Sequence, residues 1–227
     1  MATVYVPVGG ARLGGELVVP EDPRALVLFA HGSGSSRFSS RNQFVARVLE
    51  RGGFATLLID LLTPDEERLD QRTAHLRFNI PMLAGRLVAI VDWLKQELHL
   101  RDLPVGMFGA STGGGAALRA AAARPGEVFA VVSRGGRPDL AGASLPEVVA
   151  PTLLIVGGDD IPVIAMNRDA MTRMRCEVSI EIIPGASHLF EEPGALECVA
   201  ALAAGWFEQH LRSESQSTAD RNRHHRA

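Results

Sequence analysis

Val105–Arg124 reads VGMFGASTGGGAALRAAAAR. A short apolar run ends in Gly109-Ala110-Ser111-Thr112-Gly113, and an alanine-rich helical pattern follows at once. This is G-x-S-x-G between a strand and a helix, the setting in which the motif presents a nucleophile. A serine on so tight a turn has its hydroxyl pushed out of the sheet. The residues two before and two after it must be small, or side chains would collide across the turn. Gly109 and Gly113 meet that demand. The helix behind the serine aims its N-terminal N–H groups at the site, where they favour negative charge. Ser111 is thus a candidate nucleophile, and the N–H of Thr112 a first donor to an oxyanion.

Upstream, Thr3–Val8 and Leu13–Val19 flank Gly9-Gly10 and predict a β-hairpin. Ala25–Ala30 (ALVLFA) is apolar throughout, as a central strand buried on both faces must be. It ends in His31-Gly32-Ser33-Gly34-Ser35-Ser36, a loop whose small residues let backbone approach a ligand. Ser33 is the candidate second oxyanion donor, and Gly32 and Gly34 are candidates for binding substrate. His31, at a strand end ahead of the serine, reads as a structural residue bonding loop backbone. Asn42–Arg51 predicts a helix and Ala55–Asp60 a strand. Leu61–Asp70 reads as a polar loop, and residues 76–98 as one long helix with Pro81 in its first turn or at a kink.

Downstream, Val128–Ser133, Thr152–Val156 and Val178–Ile183 predict three more strands, with helices over Asn167–Arg175 and Ala195–Leu211. Strands alternating with helices imply a mostly parallel, doubly wound α/β sheet with helices on both faces. Ligands of such sheets sit at the carboxyl ends of strands. The His31–Ser36 loop, Ser111, Asp159-Asp160 and His188 all follow strand ends. Only eighteen residues (134–151) separate the strands on either side of Arg134-Gly135-Gly136, too few for a large lid. The expectation is an open, shallow site suited to short acyl chains.

A serine hydroxyl needs a base, and the base needs a group to fix its tautomer. Four histidines follow Ser111: His188, His210, His224 and His225. His188 alone lies in a loop after a strand and is the candidate base. The acid should come between them at a strand end. Asp160 is preferred, with Asp159 read as a cap of the turn; Asp159 and Asp139 remain as alternatives. Arg37, Arg134 and Arg137 lie in loops on the same edge and are candidates for binding a substrate carboxylate.

The stretches FAHGSGSSRFSSRN, GASTGGGAAL, SRGGRPDLA, TLLIVGGDDIPV and IPGASHLFEEPGAL together resemble the dienelactone-hydrolase-like branch of the α/β-hydrolases. The resemblance spans nearly the whole chain and implies the α/β-hydrolase fold. Its Gly-Gly-x-Asp-x-x-Val pattern places the acid on Asp160, and its loop histidine matches His188. Dienelactone hydrolase proper has a cysteine nucleophile; Ser111 here implies activity on carboxylic esters generally. The branch includes domains fused to phosphoribosyltransferase-like domains, and these 227 residues hold no such segment.

The expected activity is therefore ester hydrolysis through an acyl-enzyme, with a small-molecule ester as partner and no metal or organic cofactor. A thioesterase or acyltransferase would use the same triad, and a non-catalytic binding protein on this fold is the reading from another class. A net charge of −3 offers no case for nucleic acid or an anionic membrane. Cys176 and Cys198 form no C-x-x-C motif, and the N-terminus lacks a basic start with a long apolar run; both fit a cytoplasmic protein. Residues 1–211 are expected as a single domain, open to homodimer formation. Residues 212–227, polar and charged, are expected as a disordered tail.

Overall fold

Five apolar segments decide the centre of the molecule. In the computed structural model, β3 (Ala25–Ala30), β4 (Phe54–Ile59), β5 (Val105–Ala110), β6 (Val128–Arg134) and β7 (Thr152–Gly157) are buried along their whole length. They pair in parallel in the order β4-β3-β5-β6-β7, and β8 (Val178–Ile183) extends that side. β1 (Ala2–Val8) and β2 (Ala11–Val18) form the predicted hairpin and add antiparallel to β4, giving an eight-stranded sheet. The structure describes the backbone of residues 1–224 and the side chains of residues 1–211.

Alternate residues of each central strand feed opposite faces. Leu26, Leu28 and Ala30 pack on one side beneath α3 (Ile80–Leu94) and α4 (Thr112–Ala123). Ala25, Val27 and Phe29 pack on the other beneath α1 (Ser40–Arg51) and α6 (Ala195–His224). Side chains such as Leu28, Phe108 and Phe207 are fully buried there, each contributing about 1.5–3 kcal/mol. α5 (Ile161–Arg173) covers the β7–β8 end through Val163 and Ile164.

Four element assignments need correcting. Leu61–Asp70 contains a helix, α2 (Pro64–Thr73), opened by a capping box in which Thr63 and Glu66 bond each other's backbone N–H. The span 76–98 divides into a 3-10 turn (Leu76–Phe78) and α3, because Asn79 bonds the Met82 N–H as an N-cap and Pro81 fits the first turn. α5 starts at Ile161, six residues earlier than expected, again with a proline in its first turn. The closing helix, predicted to end at Leu211, runs on to His224 in α6; no glycine or proline follows Gly205 to stop it. Residues 225–227 lie outside the described residues.

The seventeen residues between Arg134 and Thr152 contain a 3-10 segment (Pro138–Glu147) packed on α4 and α5, which leaves the carboxyl edge of β3, β5 and β7 open. No helix among the described residues is long and apolar enough to cross a membrane.

Candidate active site

β5 becomes α4 within a single residue. That residue, Ser111, has φ 50° and ψ −121°, a region that a residue with a Cβ adopts only under strain. The turn closes because its flanks are glycine. A Cβ on Gly109 would lie 2.6 Å from the Gly113 carbonyl oxygen, and one on Gly113 would lie 2.2 Å from that of Ala30. The Ser111 N–H donates to the Arg134 carbonyl (3.2 Å), and the Arg137 N–H donates to the Ser111 carbonyl (3.0 Å). The turn is thereby clamped to the end of β6.

A second close approach brings the other two groups together. A Cβ on Gly157 would meet the carbonyl oxygens of Ala186 and Ser187 at 2.4 and 2.5 Å, so β7 can end directly against the loop after β8. The Asp159 N–H donates to the Ala186 carbonyl (3.0 Å), joining the two loops. Across this junction His188 Nδ1 lies 2.6 Å from Asp160 Oδ2. A carboxylate only accepts, so Nδ1–H is the donor and Nε2 is left as a lone-pair base. The carboxylate is shielded, at 13% exposure, and the imidazole is open at 39%. Asp160 stands at the N-cap of α5 but bonds no helix N–H with its side chain. Asp159 is exposed, and Asp160 holds the helix N-cap position with its carboxylate turned to His188. Asp139 is bound on both oxygens by Arg137, at 2.8 and 2.7 Å.

Ser111 and His188 share the wall of a cavity of about 240 Å³ with Gly32, Ser33, Arg41 and Arg134. A Cβ on Gly32 would lie 3.0 Å from that of Ser111, so the loop after β3 runs hard against the serine. Ser33 is exposed there, and Thr112 is buried in the first turn of α4, where N–H groups lack partners within the helix. Gly34 (φ +68°) borders the adjoining hollows rather than this cavity. A larger cavity of about 550 Å³ lies across Ser35 and Ser39 and includes Asp60 and Glu67.

His31 is structural, as read. Its Nε2 accepts from the Leu61 N–H (3.0 Å), and its Nδ1 lies 2.9 Å from the Gly32 carbonyl. Burial holds its pKa below the ordinary 6.5, against the raising influence of that carbonyl, Asp60 and Glu67.

The arginines redistribute. Arg37 pairs with Asp60 and is not part of the Ser111 cavity; Arg137 is held by Asp139. Arg134 is the last residue of β6, aligned with Ala110, which sets its side chain beside Ser111. It is 6% exposed, and its Nη2 donates to Asn42 Oδ1 (3.1 Å). Arg41 and Asn42, unremarked in the sequence, reach the cavity from the first turn of α1. The signal was Ser39 as a helix cap, which starts α1 early enough to turn both inward. Among the described residues no group of three or more His, Cys, Asp or Glu is placed to hold a metal. The tail histidines fall beyond the described side chains.

Comparison with known proteins places this geometry. The model of the dienelactone hydrolase family matches residues 13–212. Two Mycobacterium tuberculosis proteins, from strains CDC 1551 / Oshkosh and ATCC 25618 / H37Rv, provisionally named phosphoribosyl transferases, are each 57% identical over 208 residues. That is 92% of this chain and 46% of theirs, so the chain spans about half the length of these curated relatives. The crystal structure of a dienelactone hydrolase from Anabaena variabilis ATCC 29413 superposes with a TM-score of 0.91 at 61% identity, over 92% of this chain and 97% of that one. Est1E from Butyrivibrio proteoclasticus shares the fold at 17% identity, with a TM-score of 0.78 over 93% of this chain and all of that one (100%).

Proposed function

The chain belongs to the dienelactone hydrolase family, and from that premise we propose that it hydrolyses small carboxylic esters through a Ser111 acyl-enzyme. One observation carries the reading. A strained serine shares a cavity with a histidine whose far nitrogen is tied to a shielded carboxylate. His188 Nε2 takes the proton as Ser111 Oγ attacks the ester carbonyl carbon. The oxyanion is held by the N–H groups of Thr112 and Ser33, each worth about 3–4 kcal/mol of barrier. His188 then protonates the departing alcohol, and later takes a proton from the water that frees the acid. Asp160 keeps the imidazole in the productive tautomer and stabilises its cationic form.

A cavity of about 240 Å³ falls below the usual range for ligand pockets, ~300–1,000 Å³, and supports a preference for short acyl chains. The transferase name belongs to proteins of which this chain spans 46%. The test is hydrolysis of p-nitrophenyl acetate, butyrate and octanoate by wild type and Ser111→Ala. The expected result is turnover of the short esters, a fall at octanoate, and none in the variant. Turnover that survives in Ser111→Ala refutes the proposal.

A further inference from the structure

Buried guanidinium groups need counter-charge. Elsewhere among the described residues buried Arg86 pairs with Glu66, and the half-buried Arg37, Arg77 and Arg137 pair with Asp60, Asp70 and Asp139. Arg134 breaks the pattern. It is 94% buried, its Nε has no partner, and among the described residues no carboxylate pairs with it. The charged group that acts on it is a second cation, Arg41. Burial, with this like charge added, pulls Arg134 down to about 10, which leaves it charged at neutral pH. Arg41 also has a buried Nε without a partner, and its Nη1 reaches only Glu191 (3.2 Å), whose side chain is 64% exposed.

The rest of the cavity continues the theme. No aspartate or glutamate lines it: Asp160 stands behind His188, and Glu191 reaches Arg41 from the exposed side. Ser33, Ser35 and Ser39 contribute hydroxyls, and the N-termini of α1 and α4 both open onto it. Acidic residues border the neighbouring, larger cavity instead. So the nucleophile sits in a pocket of donors and positive charge whose deepest cation lacks a counter-ion.

We infer that the Ser111 cavity takes an ester carrying a phosphate group, which seats on Arg134 and Arg41 while the ester carbonyl lies at Ser111. The inference rests on Ser111 as nucleophile for the reaction, but not for the binding. Phosphate fits better than carboxylate because one carboxylate serves one guanidinium, as the four pairs above do. Here two guanidiniums and three serines line one space. Phosphate offers three acceptor oxygens and a charge near −2 to match them. Asn42, bonded to Arg134, positions its fork.

The test is calorimetric titration of Ser111→Ala protein with inorganic phosphate, and with succinate as the carboxylate control. One saturable phosphate site is expected. Adding Arg41→Met should weaken it at least about tenfold, with Arg41→Lys between the two. Arg41 is half-exposed, so its variants should fold where Arg134→Lys fails. Absence of saturable phosphate binding, or equal binding after Arg41→Met, overturns the inference. Succinate binding tighter than phosphate overturns the phosphate assignment. Because Ser111→Ala cannot turn over, these outcomes are independent of the esterase test: an enzyme that cleaves no ester defeats the proposed function, and a failed titration defeats the anion site.

Discussion

Ser111 occupies a backbone conformation that suits glycine and not serine. If the strain is held for catalysis, Ser111→Gly should raise stability by about 1–2 kcal/mol while abolishing turnover. Thermal melts of the two proteins check this, and a destabilised variant would contradict it. Asp160, the proposed triad acid, gives a second residue-scale prediction. Asp160→Asn keeps the shape but offers a group that no longer fixes the tautomer, so kcat should fall by about 10⁴ with the fold intact. His31 gives a third. Its neutral Nε2 accepts the Leu61 N–H, and its pKa in the fold is depressed. Its contribution is therefore complete above the ordinary 6.5 and lost as pH falls through the lower folded value. Denaturant midpoints at pH 8 and pH 5.5 should drop more in wild type than in His31→Gln, whose amide gains no charge; equal drops would argue against it.

At the scale of elements, local signals and their limits are both visible. The loops of the proposed triad were legible because each follows an apolar run, and Ser111, Asp160 and His188 follow three strand ends. α2 was equally legible in principle, since Thr63-Pro64-Asp65-Glu66 is a capping box with proline at the first helical position, yet its acidic run reads as solvated loop. Its meaning is tertiary. Glu66 also binds Arg86 of α3, and that bond holds its pKa at about 2. The stabilisation is full above 4.5 and lost towards pH 2. Glu66→Ala should cost about 3 kcal/mol, because Arg86 is left buried without its partner; urea unfolding measures it. Nor could sequence tell which arginine enters the cavity. Arg37 is withdrawn by Asp60, which lies 23 residues away on a different strand end, whereas Arg41 is turned inward by the start of α1. Glycines divide on the same grounds. Gly85 on α3 has open space where a Cβ would go, so Gly85→Ala should stabilise by about 0.5–1 kcal/mol.

Over the whole molecule, a sheet with five strands buried on both faces leaves its loops to gather at one edge. α/β class, strand sequence and that edge follow from apolar runs alternating with helical ones. The order β1-β2-β4-β3-β5-β6-β7-β8 does not follow from the pattern, because crossover pairing is set by packing between distant segments. What brings Ser111 and His188 to one cavity is a pair of close approaches, at Gly113 and Gly157, whose partners lie far along the chain. The account stands on Ser111 being an activated nucleophile, and one measurement reaches that directly. Intact-mass analysis after treatment with a fluorophosphonate probe, followed by peptide mapping, should find one adduct per chain, on Ser111, formed far more slowly in His188→Ala. No adduct, or one that persists on another serine in Ser111→Ala, would contradict it.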